Sequence, residues 1–199
     1  MEPLEVPFVK QLPCHCGPAA LEMVYKYFGL DNISQQELFE KIPKQKDVNG
    51  NISVLVTDLV SDAISRGFQA YWLEFNNSTK ENREGVTVLI RSLIEYKIPF
   101  ISCGQWKGNR NIGHFRVILK IDENHVYFHD PDIEKCLKYT NESFFKYWRS
   151  RESFVGNGGF FVCRAEDTIP PEMKEILDNF SVVSEEEKNF DRTDKKTSV

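Results

Sequence analysis

The sequence predicts an α+β protein in which helices come first and a mainly antiparallel sheet follows. Three observations carry that prediction. Apolar residues recur at helical spacing in segments that end near residue 96. From residue 98 the apolar runs shorten, and Asp122-Glu123-Asn124 separates two strand-like segments. A cysteine, Cys16, stands at the mouth of the first helix and is followed by Gly17-Pro18.

Bulk properties narrow the class. A chain of 199 residues defaults to one domain with a real core. Hydrophobic content of 41% and charged content of 28% are ordinary for a globular protein, so neither a fibrous nor a disordered chain is implied. The net charge of −5 and the lack of a basic stripe argue against nucleic acid as a partner. No run approaches the roughly 18 apolar residues of a membrane span. The start, Met1-Glu2-Pro3-Leu4-Glu5-Val6, has neither the basic nor the apolar region of a signal peptide. An odd count of five cysteines without an export signal is expected to mean reduced thiols in a cytoplasmic protein.

Taken in order, residues 5–9 read as an extended lead-in, and Pro7 argues against a central strand. The first helix is expected over about 17–28, with Pro18 at its first position. Ala20, Met23, Val24, Tyr27 and Phe28 share one face, which predicts a half-buried helix, and Gly29 is the expected stop. Ser34-Gln35-Gln36-Glu37 is a capping box for a short helix to about Lys41. Residues 43–52 read as a loop, and Ser53 as the cap of a helix to about Arg66. A strand is expected at 68–75, a loop at 76–84 and a helix at 85–96. Strands follow at 98–103, 114–121 and 125–130, with a polar loop at 104–112. A short helix at 141–148 and a strand at 158–163 that closes the sheet complete the domain, set at residues 1–165. Residues 166–199 read as a charged extension, with one possible helix at 170–180 and then a solvated tail.

The chemistry is read from residue types. Thiol-dependent acyl transfer needs a thiolate, an imidazole, a group to orient the imidazole and a donor for the oxyanion. Cys16 supplies the thiol, where the helix dipole favours thiolate. His114 opens one hairpin strand and Asp130 ends the other. Gln11 is the candidate oxyanion donor, because an amide donates without titrating. Cys14 is the rival thiol, although it lies ahead of the helix. Cys14-His15-Cys16 does not match the usual zinc spacing, and neither metal nor cofactor is expected. His125, His129 and Asp132 are the alternatives to His114 and Asp130. Cys103, Cys136 and Cys163 read as plain strand or loop residues. Trp106 fits either a substrate groove or ordinary packing.

Hairpin register tests the pairing of His114 with Asp130. A three-residue turn sets Ile121 opposite His125 and Asp130 opposite Arg116, diagonal to His114. Diagonal neighbours lie about 7–8 Å apart, within reach of long side chains. A two-residue turn sends Asp130 to the other face. The site therefore requires an odd-length turn or a bulge.

At these residues the sequence resembles the peptidase C39-like group of papain-like cysteine peptidases. The resemblance lies in Gln11 and Cys16-Gly17-Pro18-Ala19-Ala20-Leu21, in Gly113-His114-Phe115-Arg116-Val117-Ile118, in His129-Asp130-Pro131 and in residues 144–148. It spans roughly residues 5–163. It implies a papain-like fold, with a helical half carrying the nucleophile and a sheet carrying His and Asp. It also implies Cys16 as nucleophile, His114 as base, Asp130 as its orienter and Gln11 in the oxyanion hole. A peptide or protein is then the expected substrate. The best-known members usually have Asp before the nucleophile, where this chain has His15, and are fused to membrane transporters. Two alternatives stand beside hydrolysis. One is a transpeptidase or acyltransferase on the same fold, and the other is an inactive peptide-binding or adaptor module.

Overall fold

The computed structural model describes residues 2–46, 50, 52–74, 80–106, 109–148, 158–167 and 169. Helices α1 (Cys16–Tyr27) and α2 (Gln35–Lys41) come first, then the two-residue strands β1 (Gln45–Lys46) and β2 (Ile52–Ser53). Next are α3 (Val56–Ser65), β3 (Gln69–Glu74) and α4 (Lys80–Glu95). The chain continues through β4 (Phe100–Trp106), β5 (Asn109–Ile121), β6 (His125–His129), β7 (Leu137–Thr140), α5 (Asn141–Tyr147) and β8 (Gly158–Cys163). Six strands make one antiparallel sheet in the order β3-β8-β4-β5-β6-β7. The α+β expectation holds, with one qualification: β3 lies between helices in sequence and forms a sheet edge.

Helix α1 is the centre of the core. Every residue from Gly17 to Tyr25 is buried, so the expected half-buried helix is wrong. The reason is that α1 packs against β5, α2 and α3 together, which leaves its first turns no solvent face. Even Glu22 is buried, at 5% exposure. Gly29 takes φ +87° just past the helix end, as a C′ glycine does. On α2, Ser34 caps through its hydroxyl to the Glu37 N–H at 3.2 Å. Glu37 does not complete the box; its carboxylate bonds Lys41 and Arg66 instead.

Several boundaries move for identifiable reasons. Ser53 is not a helix cap, because it pairs with Gln45 in the β1–β2 ladder, and α3 starts after Leu55. The expected loop at 43–52 therefore holds β1 and the first residue of β2. Helix α4 begins at Lys80, five residues ahead of the expected start. Lys80 and Glu84 in its first turns are exposed and paired at 3.7 Å, and a polar turn of that kind has the composition of a loop. Strands β4 and β5 run through most of the expected 104–112 loop, with a register shift between Gln105 and Trp106. Strand β7 was hidden by its brevity and by the polar residues around it. Residues 170–180, where a helix was expected, and the tail beyond them lie outside the described residues.

Strand β8 does not close the sheet at its edge. It inserts between β3 and β4, and all six of its residues are buried. Gly159 is what permits this. A Cβ there would stand 2.3 Å from the Ile101 carbonyl oxygen and 2.5 Å from the Phe100 ring. Trp148, at the end of α5, ties the same corner by donating its indole N–H to the Gly158 carbonyl at 2.9 Å. Overpacking a buried site typically costs 1–3 kcal/mol, so Gly159→Ala should destabilise the fold by about 3 kcal/mol in urea denaturation. An unchanged midpoint would contradict the central position of β8.

Candidate active site

Cys16 is the first residue of α1, one position ahead of the predicted start. The chain turns into the helix through Cys14 at φ +65°, with the His15 N–H bonding the Leu12 carbonyl at 3.0 Å. The first helical bond runs from Ala19 N–H to the His15 carbonyl at 2.8 Å. The N–H groups of Cys16 and Gly17 thus have no acceptor inside the helix, and Pro18 has no N–H to place. Gly17 is a close-approach residue. A Cβ there would lie 2.9 Å from side-chain atoms of Leu59 and Val54, and 3.2 Å from the Phe115 ring. The missing side chain lets the cysteine end of α1 seat against β5.

The hairpin supplies the facing groups, and its register meets the stated condition through a bulge. Near the turn Ile121 faces Val126, and not His125 as a simple three-residue turn requires. The register shifts between Ile118 and Lys120, so Ile118 faces Phe128 and Val117 faces His129. That places Asp130, just past β6, on the diagonal from His114. His114 Nε2 bonds Asp130 Oδ1 at 2.7 Å, and both side chains are 2% exposed. This leaves the other ring nitrogen, Nδ1, for the Cys16 sulfur, whose charge state is coupled to that of His114.

Asp130 is a buried carboxylate with a full set of donors. Arg116 Nε donates to Oδ2 at 2.9 Å. The N–H groups of Asp132 and Ile133 donate to Oδ1 at 3.0 and 3.3 Å. The hairpin register sets Arg116 opposite Asp130, and that facing is the sequence signal for its part in the site. Its Nη2 also donates to the Gln105 carbonyl at 3.0 Å, which fixes the guanidinium to β4.

These contacts set the charge states. Burial alone raises the Asp130 pKa, but the His114 bond and the His114 and Arg116 charges outweigh it and bring it from 3.8 to about 2. For His114, burial works against the cation, yet the bond to Asp130 and the contact with Cys16 raise its pKa. For Cys16, burial opposes the thiolate. His114 overcomes it, aided by the N–H groups of Phe115 and Gly17, and the thiol pKa falls below its ordinary 9.0. A thiol and an imidazole shifted in these opposite directions are suited to coexist as thiolate and imidazolium.

With that geometry in view, the profile of the Peptidase_C39 like family matches residues 3–154. The chain belongs to this family. The fold agrees with solved C39 structures. The peptidase domain of Streptococcus ComA, a bi-functional ABC transporter involved in a quorum sensing pathway, superposes with a TM-score of 0.55 at 22% identity, covering 80% of this chain and 99% of that one. A Bacillus anthracis protein described as a C39-like peptidase gives a TM-score of 0.59 at 17% identity, covering 84% and 100%. At such identities the likeness carries the fold. No curated protein sequence matches this C39-like chain significantly. Among the described residues no helix is long and apolar enough to cross a membrane, and no His, Cys, Asp or Glu cluster is fit to hold a metal.

The remaining candidates fall in different places. Gln11 is anchored beside the Asp130 loop, its N–H bonding the Pro131 carbonyl at 3.0 Å. Its side-chain Oε1 is buried and has no hydrogen-bond partner. Cys14 is exposed, as is Cys136, while Cys103 and Cys163 are buried in strands with their thiol pKa values pushed up by burial. His129 is structural in its contacts: Nε2 donates to the Val6 carbonyl and Nδ1 accepts from the Cys136 N–H, both at 2.9 Å. Burial lowers its pKa and keeps it neutral. His125 lies at the turn, 3.8 Å from Asp122. Trp106 donates its indole N–H to Asp132 at 3.1 Å.

A carboxylate depressed from 3.8 to about 2 stabilises the folded chain above pH 3.8. That contribution, on the order of 2 kcal/mol, is lost as pH falls toward about 2. Asp130→Asn should therefore be less stable than wild type at pH 7 and lose less stability between about pH 4 and 2, read by urea denaturation at each pH. Parallel pH curves for the two proteins would show that Asp130 is not held as described.

Proposed function

We propose that this chain is a cysteine peptidase in which Cys16 is the nucleophile, His114 the general base and acid, Asp130 the orienter and Gln11 an oxyanion donor. The observation that carries the reading is the His114–Asp130 hydrogen bond on a bulged hairpin, with the thiol at the helix start coupled electrostatically to His114. The family and the free state of all five cysteines support it. The catalytic unit is taken as residues 1–165, with 166–199 as a charged extension. Reduced cysteines suit the cytoplasm as its location.

The reaction begins with Cys16 as thiolate and His114 as imidazolium. The sulfur attacks the carbonyl carbon of a peptide or amide bond, and the carbonyl electron pair moves onto oxygen. The Gln11 amide and the Cys16 N–H, which has no acceptor within the helix, donate to that oxyanion. The tetrahedral adduct collapses, the C–N bond breaks, and His114 gives its proton to the leaving amine. His114, now neutral, takes a proton from water, whose oxygen attacks the thioester. Carboxylate product leaves and the ion pair is restored. Asp130 keeps the imidazole on the correct tautomer and favours its cationic form throughout.

Iodoacetamide at pH 7 followed by mass spectrometry tests the nucleophile. Cys16 should be alkylated ahead of the exposed Cys14 and Cys136, and its rate should persist at pH values where an ordinary thiol has ceased to react. Raising the pH through the His114 titration should leave the thiolate but remove the acid, so hydrolysis of a peptide-library substrate should fall on the alkaline side while alkylation does not. Cys16→Ala should abolish both. Preferential labelling of Cys14 would overturn the assignment. Gln11→Ala should lower kcat by about 10²–10³, the typical cost of one oxyanion donor, and leave alkylation unchanged.

A further inference from the structure

Gln11 must hold its amide steady, yet it sits in a segment without helix or strand. What fixes that segment is Gln35, the first residue of α2, which is 8% exposed. Its Nε2 donates to the Lys10 carbonyl at 2.9 Å, and its Oε1 accepts from the Leu12 N–H at 2.7 Å. The two bonds bracket Gln11 on both sides, as a strand neighbour would. The N–H of Gln35 in turn donates to Glu22 Oε2 at 2.6 Å. Glu22 is buried on α1 and paired with Lys26 at 2.7 Å. A bonded route therefore runs from the helix that begins at Cys16, through Glu22 and Gln35, to the residues flanking Gln11. His15 adds a second fastening to α2 by stacking on Phe39 with ring centroids 3.9 Å apart.

We propose that Gln35 is a positioning residue, which sets Gln11 against Cys16 by clamping the backbone of Lys10 and Leu12 to the helix pair α1–α2. The inference rests on the reading of Gln11 as an oxyanion donor. The two donors of that reading, the Gln11 amide and the Cys16 N–H, belong to different local structures. Only four residues, Leu12 to His15, join them directly, and among them is the left-handed Cys14. The clamp closes the same loop from the other side. A glutamine suits this place because one planar amide supplies a donor and an acceptor at once, without charge, beside a buried carboxylate. Asp, Glu or Lys in the same place lacks one of the two functions.

The experiment separates a step that uses the oxyanion site from one that does not. Acetyl-leucyl-glycinal, a peptide aldehyde, adds to the Cys16 thiolate and places an oxyanion or hydroxyl where Gln11 donates. Iodoacetamide alkylates sulfur by displacement and forms no oxyanion. Gln35→Met keeps the bulk and removes both hydrogen bonds. It should weaken aldehyde binding about 10- to 100-fold, within the range that an ångström of misplacement costs, while the alkylation rate of Cys16 stays at the wild-type value. On a Gln11→Ala background the same change should add nothing, because Gln35 acts through Gln11. Equal aldehyde affinity in wild type and Gln35→Met overturns the proposal, as does a Gln35→Met effect that persists in full without Gln11. Alkylation slowed in step with aldehyde binding also overturns it, because the damage then lies in the fold as a whole. If wild type is alkylated at Cys16 but shows the same aldehyde affinity after Gln11→Ala, the oxyanion reading falls and takes the clamp with it.

Discussion

Asp130 is a negative charge taken almost wholly out of water, and the sheet end is arranged around that fact. An isolated carboxylate at 1% exposure is not sustainable at neutral pH, because burial favours its protonated form. Four donors keep it ionised: the His114 ring, the Arg116 guanidinium and the main-chain N–H groups of Asp132 and Ile133. Each makes its own demand on the fold. The ring needs the diagonal register of β5 and β6. The guanidinium needs a fixed point on β4, which Gln105 provides. The amides need the tight turn after Pro131. Removing any one leaves a buried charge short of a partner.

The bulge between Ile118 and Lys120 is what reconciles these demands. A hairpin holds one register along its length unless a residue is inserted. Near its turn this hairpin pairs Ile121 with Val126, and carried upstream that register leaves Asp130 off the His114 diagonal. One extra residue shifts the pairing and brings His114, Arg116 and Asp130 together. A bulge is therefore a positioning device here.

The side that carries Cys16 follows different physics. Cys16 depends on a helix end, where N–H groups lack partners, and on Gly17, whose absent side chain lets that end meet Phe115. The Gln11 segment has no ladder or helix of its own. Its order comes from side-chain and loop contacts: Gln35 on either side, and the Pro131 carbonyl beneath. Pro131 directly follows Asp130, so the proposed oxyanion arm and the proposed orienting group share one loop. The Cys16–His114 contact and the Gln11–Pro131 bond thus both join the sheet site to the helix site.

Much of this was legible in the chain. Local chemistry determined it: Cys16 at the mouth of a helix, Gly29 after that helix, and two apolar strands around Asp122-Glu123-Asn124. Hairpin register also points to the facing of Asp130 and Arg116 from sequence alone, because side-chain parity along a strand is a matter of counting. Other features left no local trace. Residues 80–84 look like a loop, since exposed helix and loop have the same polar composition. Ser53 reads as a cap until its strand partner Gln45, eight residues earlier, is known. Strand β8 was visible as a strand, but its insertion between β3 and β4 depends on non-local pairing and on the room that Gly159 leaves. Gln35 looked like one polar residue of a capping box, and only the packing of α2 against residues 10–12 gave its amide both partners. Sequence by itself determined which groups could do the chemistry, because residue type and short-range spacing are local. Tertiary structure decided which of them meet, because a carboxylate, a ring and a thiol far apart in the chain are joined only by how the sheet and helices pack.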